Sequence, residues 1–175
     1  MATTFPKMEM SNIILDENNL RNLPPRERLK KCAYILKNEN DESLRWDAVW
    51  LAGEIAEVAG PDDPLFDDVA DLMSLVLQND DNGVVKHEAC FQIAARNMRK
   101  KIPDLINSAL NDKSTLVKHE ALEALGLMRA YDSAKQLKKA VSDQNPDVRE
   151  TANFVLKRFT RLKNIKSDYI PSNIL

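Results

Sequence analysis

Apolar residues along this chain recur at helical spacing. Val117, Ala121, Ala124 and Met128 fall at i, i+4, i+7 and i+11, and Leu125 widens the stripe, so one helix face is apolar. Leu65, Val69, Leu72 and Val76 form a second stripe that opens at Pro64. Ile102, Leu105, Ile106 and Ala109 form a third, with Pro103 in its first turn, where a helix needs no N–H donor. Ala134, Leu137 and Val141 predict another helix, and the segment from Arg26 to Leu36 supplies one near the start. Polar turns at Asn38 to Glu42, Asn79 to Gly83, Asn111 to Thr115 and Ser142 to Pro146 separate these patterns. Their Asn, Asp, Gly and Pro residues stop one helix and cap the next.

The turns fall in phase with a repeat. Val85-Lys86-His87-Glu88-Ala89 returns letter for letter as Val117-Lys118-His119-Glu120-Ala121. Looser copies stand at Leu44-Arg45-Trp46-Asp47-Ala48 and Val148-Arg149-Glu150-Thr151-Ala152. The longer first interval is accounted for by extra residues around Gly60, Pro61 and Pro64. A long helix following each turn, with a partner helix between, predicts an all-α, right-handed α-solenoid of about four helix pairs. The signatures of tetratricopeptide and ankyrin repeats are missing. The pattern of valine, a basic residue, two polar positions, alanine and a leucine-rich stripe resembles HEAT-like repeats, including the phycobilisome-lyase type. The expected organisation is a terminal extension or cap over 1–25, a repeat domain over 26–162 and a tail over 163–175. Ile13, Ile14 and Leu15 at one end and Tyr169, Ile170, Ile174 and Leu175 at the other either cap the solenoid, mediate assembly or fray.

Composition narrows the partners. The formal charge is −2, from 25 basic and 27 acidic residues interspersed along the chain. That balance gives no strong pull on nucleic acid or anionic lipid, so neither is an expected partner. No apolar run is long enough to span a bilayer. Cys32 and Cys90 sit inside helical stripes without a CxxC motif, which suits a reducing compartment. A cytoplasmic location is the expectation.

The candidate chemistry lies in the repeat itself. Both of the chain's two histidines occupy the same repeat position, and each precedes a glutamate. At about 100° per residue, His87 and His119 project almost opposite the buried stripe, while Glu88 and Glu120 lie at its edge. Equivalent helices of stacked repeats pack roughly 8–10 Å apart, so two imidazoles can converge on one ion. Imidazole with carboxylate suits non-haem iron or zinc. Asp47 holds the glutamate position in the first unit and Glu150 the histidine position in the fourth, which makes them second-choice ligands. Lys86, Lys118, Arg45 and Arg149 are placed to offset this row of carboxylates. The competing reading is that the pentapeptide records duplication of the unit and its polar residues serve as surface or as inter-repeat ion pairs.

The paired motifs His87-Glu88 and His119-Glu120 resemble those of the deoxyhypusine hydroxylases, HEAT-like di-iron oxygenases that act on a modified lysine of a translation factor. The match at His119 extends through Ala121 to Leu125-Gly126, whereas the one at His87 has Ile93-Ala94 instead. That family carries four such motifs in two halves of one chain, and this chain has two. The resemblance therefore implies half a site, completed in a homodimer that would hold two iron ions and act as a di-iron monooxygenase-like oxidoreductase. The alternative is a metal-free scaffold binding a protein or peptide on the concave face; a chromophore-lyase or chaperone-like helper rests on fold analogy alone. HExxH, GxGxxG and P-loop patterns are absent from the sequence. Cys90 reads as core, and the Trp46/Trp50 pair as packing or a partner-binding spot.

Overall fold

The computed structural model describes residues 16–163. The apolar clusters at 13–15 and 169–175 lie outside the described residues. After the short α1 (Glu17–Arg21), four helix pairs follow: α2 (Pro25–Asn38) with α3 (Glu42–Ala59), α4 (Pro64–Asn79) with α5 (Gly83–Ala95), α6 (Ile102–Asn111) with α7 (Thr115–Leu127), and α8 (Ala134–Leu137) with α9 (Pro146–Lys163). The four pairs match those read from the sequence.

Helix starts follow the turn chemistry. Asp41, Asn82 and Ser114 each accept a hydrogen bond from the first turn of α3, α5 and α7, and Asn145 does so for α9. Prolines open α2, α4 and α9, and Pro103 is the second residue of α6. Gly60 ends α3 at φ 74°, a left-handed conformation that costs glycine nothing. The fourth pair departs from expectation. Its first helix is only Ala134–Leu137, flanked by 3-10 turns at Tyr131–Ser133 and Lys138–Ser142. Ala134, Leu137 and Ala140 recur every third residue, and that spacing aligns on a three-residue turn.

The core runs the length of the stack. Val85, Ala89 and Ile93 of α5 and Val117, Ala121 and Leu125 of α7 are fully buried. Helices α3, α5, α7 and α9 contact one another far more extensively than α2, α4, α6 and α8 do. The solenoid therefore curves with α3, α5, α7 and α9 as its inner layer. No described helix is long and apolar enough to cross a membrane.

The inner helices are locked in register by small residues. A Cβ on Gly53 of α3 would strike the carboxamide of Gln92 on α5, and one on Gly126 of α7 would approach Val155 Cγ2 of α9 to 3.2 Å. Gly53 and Gly126 hold the same repeat position, as do Gln92 and Val155. The register places Ala94 at the glycine position opposite Ala124, where a smaller neighbour leaves room for a methyl group.

A second set of joints uses charge. Asp80, Asp112 and Asp143 each accept the backbone N–H two residues on, within their turns. Each also receives the basic residue of the preceding repeat: Arg45 to Asp80 at 2.8 Å, Lys86 to Asp112 at 2.9 Å and Lys118 to Asp143 at 2.6 Å. Arg45 and Arg149 also donate to the carbonyls of their own turns. These cations are thus committed to the turns and do not offset the carboxylates of the His-Glu pairs.

Candidate metal centre

Helices α5 and α7 place their His-Glu pairs side by side on the inner layer. Each histidine is about one-third exposed, His87 at 34% and His119 at 39% of its side chain. The glutamates turn inward, leaving Glu88 5% and Glu120 8% exposed. The glutamate is one helical step, about 100°, closer to the buried stripe than the histidine.

The pairs connect diagonally, from one repeat to the next. His87 Nε2 lies 3.1 Å from Glu120 Oε2. His119 Nδ1 lies 2.7 Å from Thr151 Oγ1, which holds the glutamate position of the fourth repeat. In the first repeat the Trp46 indole, at the histidine position, is a hydrogen-bonding neighbour of Glu88. The histidine position of each repeat therefore meets the glutamate position of the following one.

These contacts set protons. Thr151 Oγ1 donates to the Asp147 carbonyl at 2.8 Å, so its lone pairs remain to accept from His119 Nδ1–H. A neutral His119 then presents a bare Nε2, the lone pair a metal requires. That nitrogen lies 3.7 Å from Glu123 Oε2 on the same helix. Glu88 Oε1 accepts from Gln92 Nε2 at 2.6 Å, while Gln92 Oε1 is buried without a partner.

Burial dominates the charge balance. Desolvation pushes Glu120 up to about 7, and the nearby carboxylates of Glu123 and Glu88 add to that, while His119 opposes it. Glu88 is raised chiefly by burial as well, against the Gln92 hydrogen bond. His87 is lowered, again mainly by burial. Two carboxylates without a committed cation sit beside two imidazoles, and such an arrangement favours a bound cation.

The second-choice residues lie apart. Asp47 is raised by burial and by Glu17 and Asp41, with Arg21 opposing, so its electrostatic neighbours belong to α1 and the start of α3. Glu150 is exposed, and Thr151 rather than Glu150 reaches His119. Thr151, Glu123 and Gln92 enter the site without having been singled out from sequence. Glu123 and Gln92 carry a readable signal, each falling four residues after a His or Glu of the motif.

The donor types suit iron: imidazole nitrogen and carboxylate oxygen, with an unneutralised acid excess. Their number falls short, since no three His, Cys, Asp or Glu side chains converge to hold a metal among the described residues.

Residues 69–157, just over half of the chain, match the family model of HEAT repeats. The chain belongs to the HEAT-repeat family. This HEAT-repeat chain is 35% identical over 97 residues to deoxyhypusine hydroxylase of Arabidopsis thaliana, a match covering 54% of the chain and 31% of that relative. Its fold is similar to that of human deoxyhypusine hydroxylase, solved in complex with glycerol. The TM-score is 0.66 at 21% identity, covering 85% of the HEAT-repeat chain and 49% of the human one. At that identity the structural likeness shows the fold alone. The chain thus spans about a third of the plant relative and about half of the human one.

Proposed function

We propose that this HEAT-repeat protein binds iron through His87, Glu88, His119 and Glu120 and is hydroxylase-like, its site completed by a second copy of the chain. The observation that carries the reading is the pair of buried carboxylates, Glu88 and Glu120, each raised by burial and lacking a committed cation. The likeness to the hydroxylases supports it.

Each residue has a defined task. His119 offers Nε2 because Thr151 takes the proton side of the ring. Glu120 carries or releases a proton at Oε2, against His87 Nε2. Gln92 holds Glu88 in place through a buried amide. Iron held there would supply oxygen activation for hydroxylation of a C–H bond.

Elemental analysis of protein reconstituted with ferrous iron, run beside its mass in solution, tests the reading. The expected result is iron near one ion per chain in a dimer, lost in His119→Ala and Glu120→Gln. A protein that takes up no iron, or takes it up equally in both variants, overturns it. Zinc in place of iron would redirect the assignment to a hydrolytic or structural metal. A second reading, a metal-free scaffold for a protein segment, draws on the exposed Val84, Leu116 and Phe154 of the inner layer. A metal-free monomer that captures a peptide on this face would favour it.

A further inference from the structure

Helices α3, α5, α7 and α9 run parallel and in register, because their joints repeat with one offset: Gly53 to Gln92 as Gly126 to Val155, and His87 to Glu120 as His119 to Thr151. At about 100° per residue, the residues three before the histidine position, and four and eleven after it, lie within about 60° of it on the open face. Three before stand Val84 of α5 and Leu116 of α7, both exposed. Four after stand Trp50 of α3, half-buried, and Phe154 of α9, exposed. Eleven after stand Glu57 of α3 and Arg161 of α9, both exposed. The ends of α3 and α9 thus differ in sign. The last turn of α3 holds no base, Glu57 stays more than half exposed despite its pair with Arg96, and exposed Asp62 follows. The last turns of α9 carry Lys157, Arg158, Arg161 and Lys163, none of them in an ion pair among the described residues.

We propose that two copies clasp each other rim to rim, the end of α3 of each against the end of α9 of the other, about a two-fold axis that runs along the helices. The inference rests on the reading that a second copy completes the site, and it adds the surface that joins them. A two-fold that sets two layers face to face lies in the plane between them. Laid across the helices, it reverses their direction and keeps their order. Laid along them, midway between α5 and α7, it keeps direction and reverses order. Charge decides between the two. Across the helices, α3 meets a second α3 head to tail, and Glu54 and Glu57 fall on Asp41, Glu42 and Asp47, acid on acid, twice. Along the helices, α3 meets α9 in parallel and equal heights face each other. Glu57 then falls on Arg161 of the second copy and Trp50 on its Phe154, each twice, joining acid to base and aromatic to aromatic. One like-charged match, Glu42 near Asp147, lies at the exposed helix starts, where solvent screens it. Because the layer is concave, the outer helices touch first and α5 and α7 stand back. The space they enclose has His87 of one copy facing His119 of the other, with Val84 and Leu116 closing its helix-start edge.

Analytical ultracentrifugation of the full chain tests the pairing, with circular dichroism confirming that each variant folds. Phe154→Glu, at an exposed position, should weaken self-association roughly tenfold or more. Arg161→Glu should weaken it too, and adding Glu57→Arg should restore it to within about threefold of the unmodified chain. Cross-linking reads the orientation. Glu57→Cys chains mixed with Arg161→Cys chains should be joined by a short bis-maleimide, while neither chain alone is joined; Cys32 and Cys90 are buried. A chain that is monomeric with and without iron, substitutions without effect, a double variant without recovery, or cross-linking of either chain alone each overturn the proposal. Iron uptake separates this interface from the metal reading. Iron bound by a chain whose mass Phe154→Glu leaves unchanged removes the interface and spares the ligands. A dimer that follows the expected pattern and takes up no iron keeps the interface and removes the metal.

Discussion

His87 Nε2 and Glu120 Oε2 stand 3.1 Å apart across two repeats, although each residue's sequence neighbour is another member of the same motif. The motif is therefore used crosswise, and its effects on stability and on metal affinity should oppose each other. Glu120→Gln removes a buried charge without changing shape. We expect it to raise the melting temperature of metal-free protein at pH 8 by several degrees, roughly 1–3 kcal/mol, and to abolish iron uptake. Calorimetry beside elemental analysis checks both halves, and a destabilised Glu120→Gln would contradict the burial argument.

Stability should also depend on pH through this residue. Glu120 titrates at about 7 in the fold against an ordinary 4.5, so folding favours its protonated form. That contribution is complete below about pH 4.5 and is lost as pH rises through about 7. His87 is lowered and acts in the opposite sense, withdrawing stability on acidification. Denaturant titrations of the metal-free chain between pH 5 and 8 should therefore show a downward slope that Glu120→Gln flattens. An unchanged slope would place the charge elsewhere.

Gly53→Ala should destabilise the chain by about 2–3 kcal/mol, since its methyl group lands on the Gln92 carboxamide. Adding Gln92→Ala should recover much of the loss, because the obstacle is then gone, and a double-mutant cycle gives the coupling directly. Gly126→Ala, with a contact at 3.2 Å to a methyl of Val155, should cost less. Equal losses at both glycines would show that helix propensity, rather than the joint, decides the matter.

Asp80→Ala should cost about 3 kcal/mol, since it takes the buried carboxylate from the nearly buried Arg45 guanidinium and leaves it only the exposed Asp81 as an acidic partner. Lys100→Ala, which breaks an exposed pair with Asp67, should change stability by less than about 0.5 kcal/mol. Urea midpoints of the two variants measure the contrast directly.

The sequence showed the helix pairs, their turns and the His-Glu register, because each is written in local spacing. Val117, Ala121 and Ala124 announce a buried stripe, and Asn82 and Ser114 announce caps. It did not show that Lys86 and Lys118 belong to Asp112 and Asp143, nor that His119 reaches Thr151. Those partners lie about one repeat away, and choosing them requires the sideways offset between stacked helices, which no single helix encodes. The short α8 was hidden for a different reason: Ala134, Leu137 and Val141 fit an α-helix nearly as well as the three-residue turns that the chain adopts. Asp47 was placed by its repeat position, but α1, which has no counterpart in the other repeats, supplies its neighbours.

The joints that hold Gly53 against Gln92, Arg45 against Asp80 and Trp46 against Glu88 all point the same way, each repeat offering a socket for the next. A tandem duplication of one unit would arrive with its own plug and its own socket. The array could then lengthen by whole units without a new joint being invented, and the two identical pentapeptides are what such growth would leave behind.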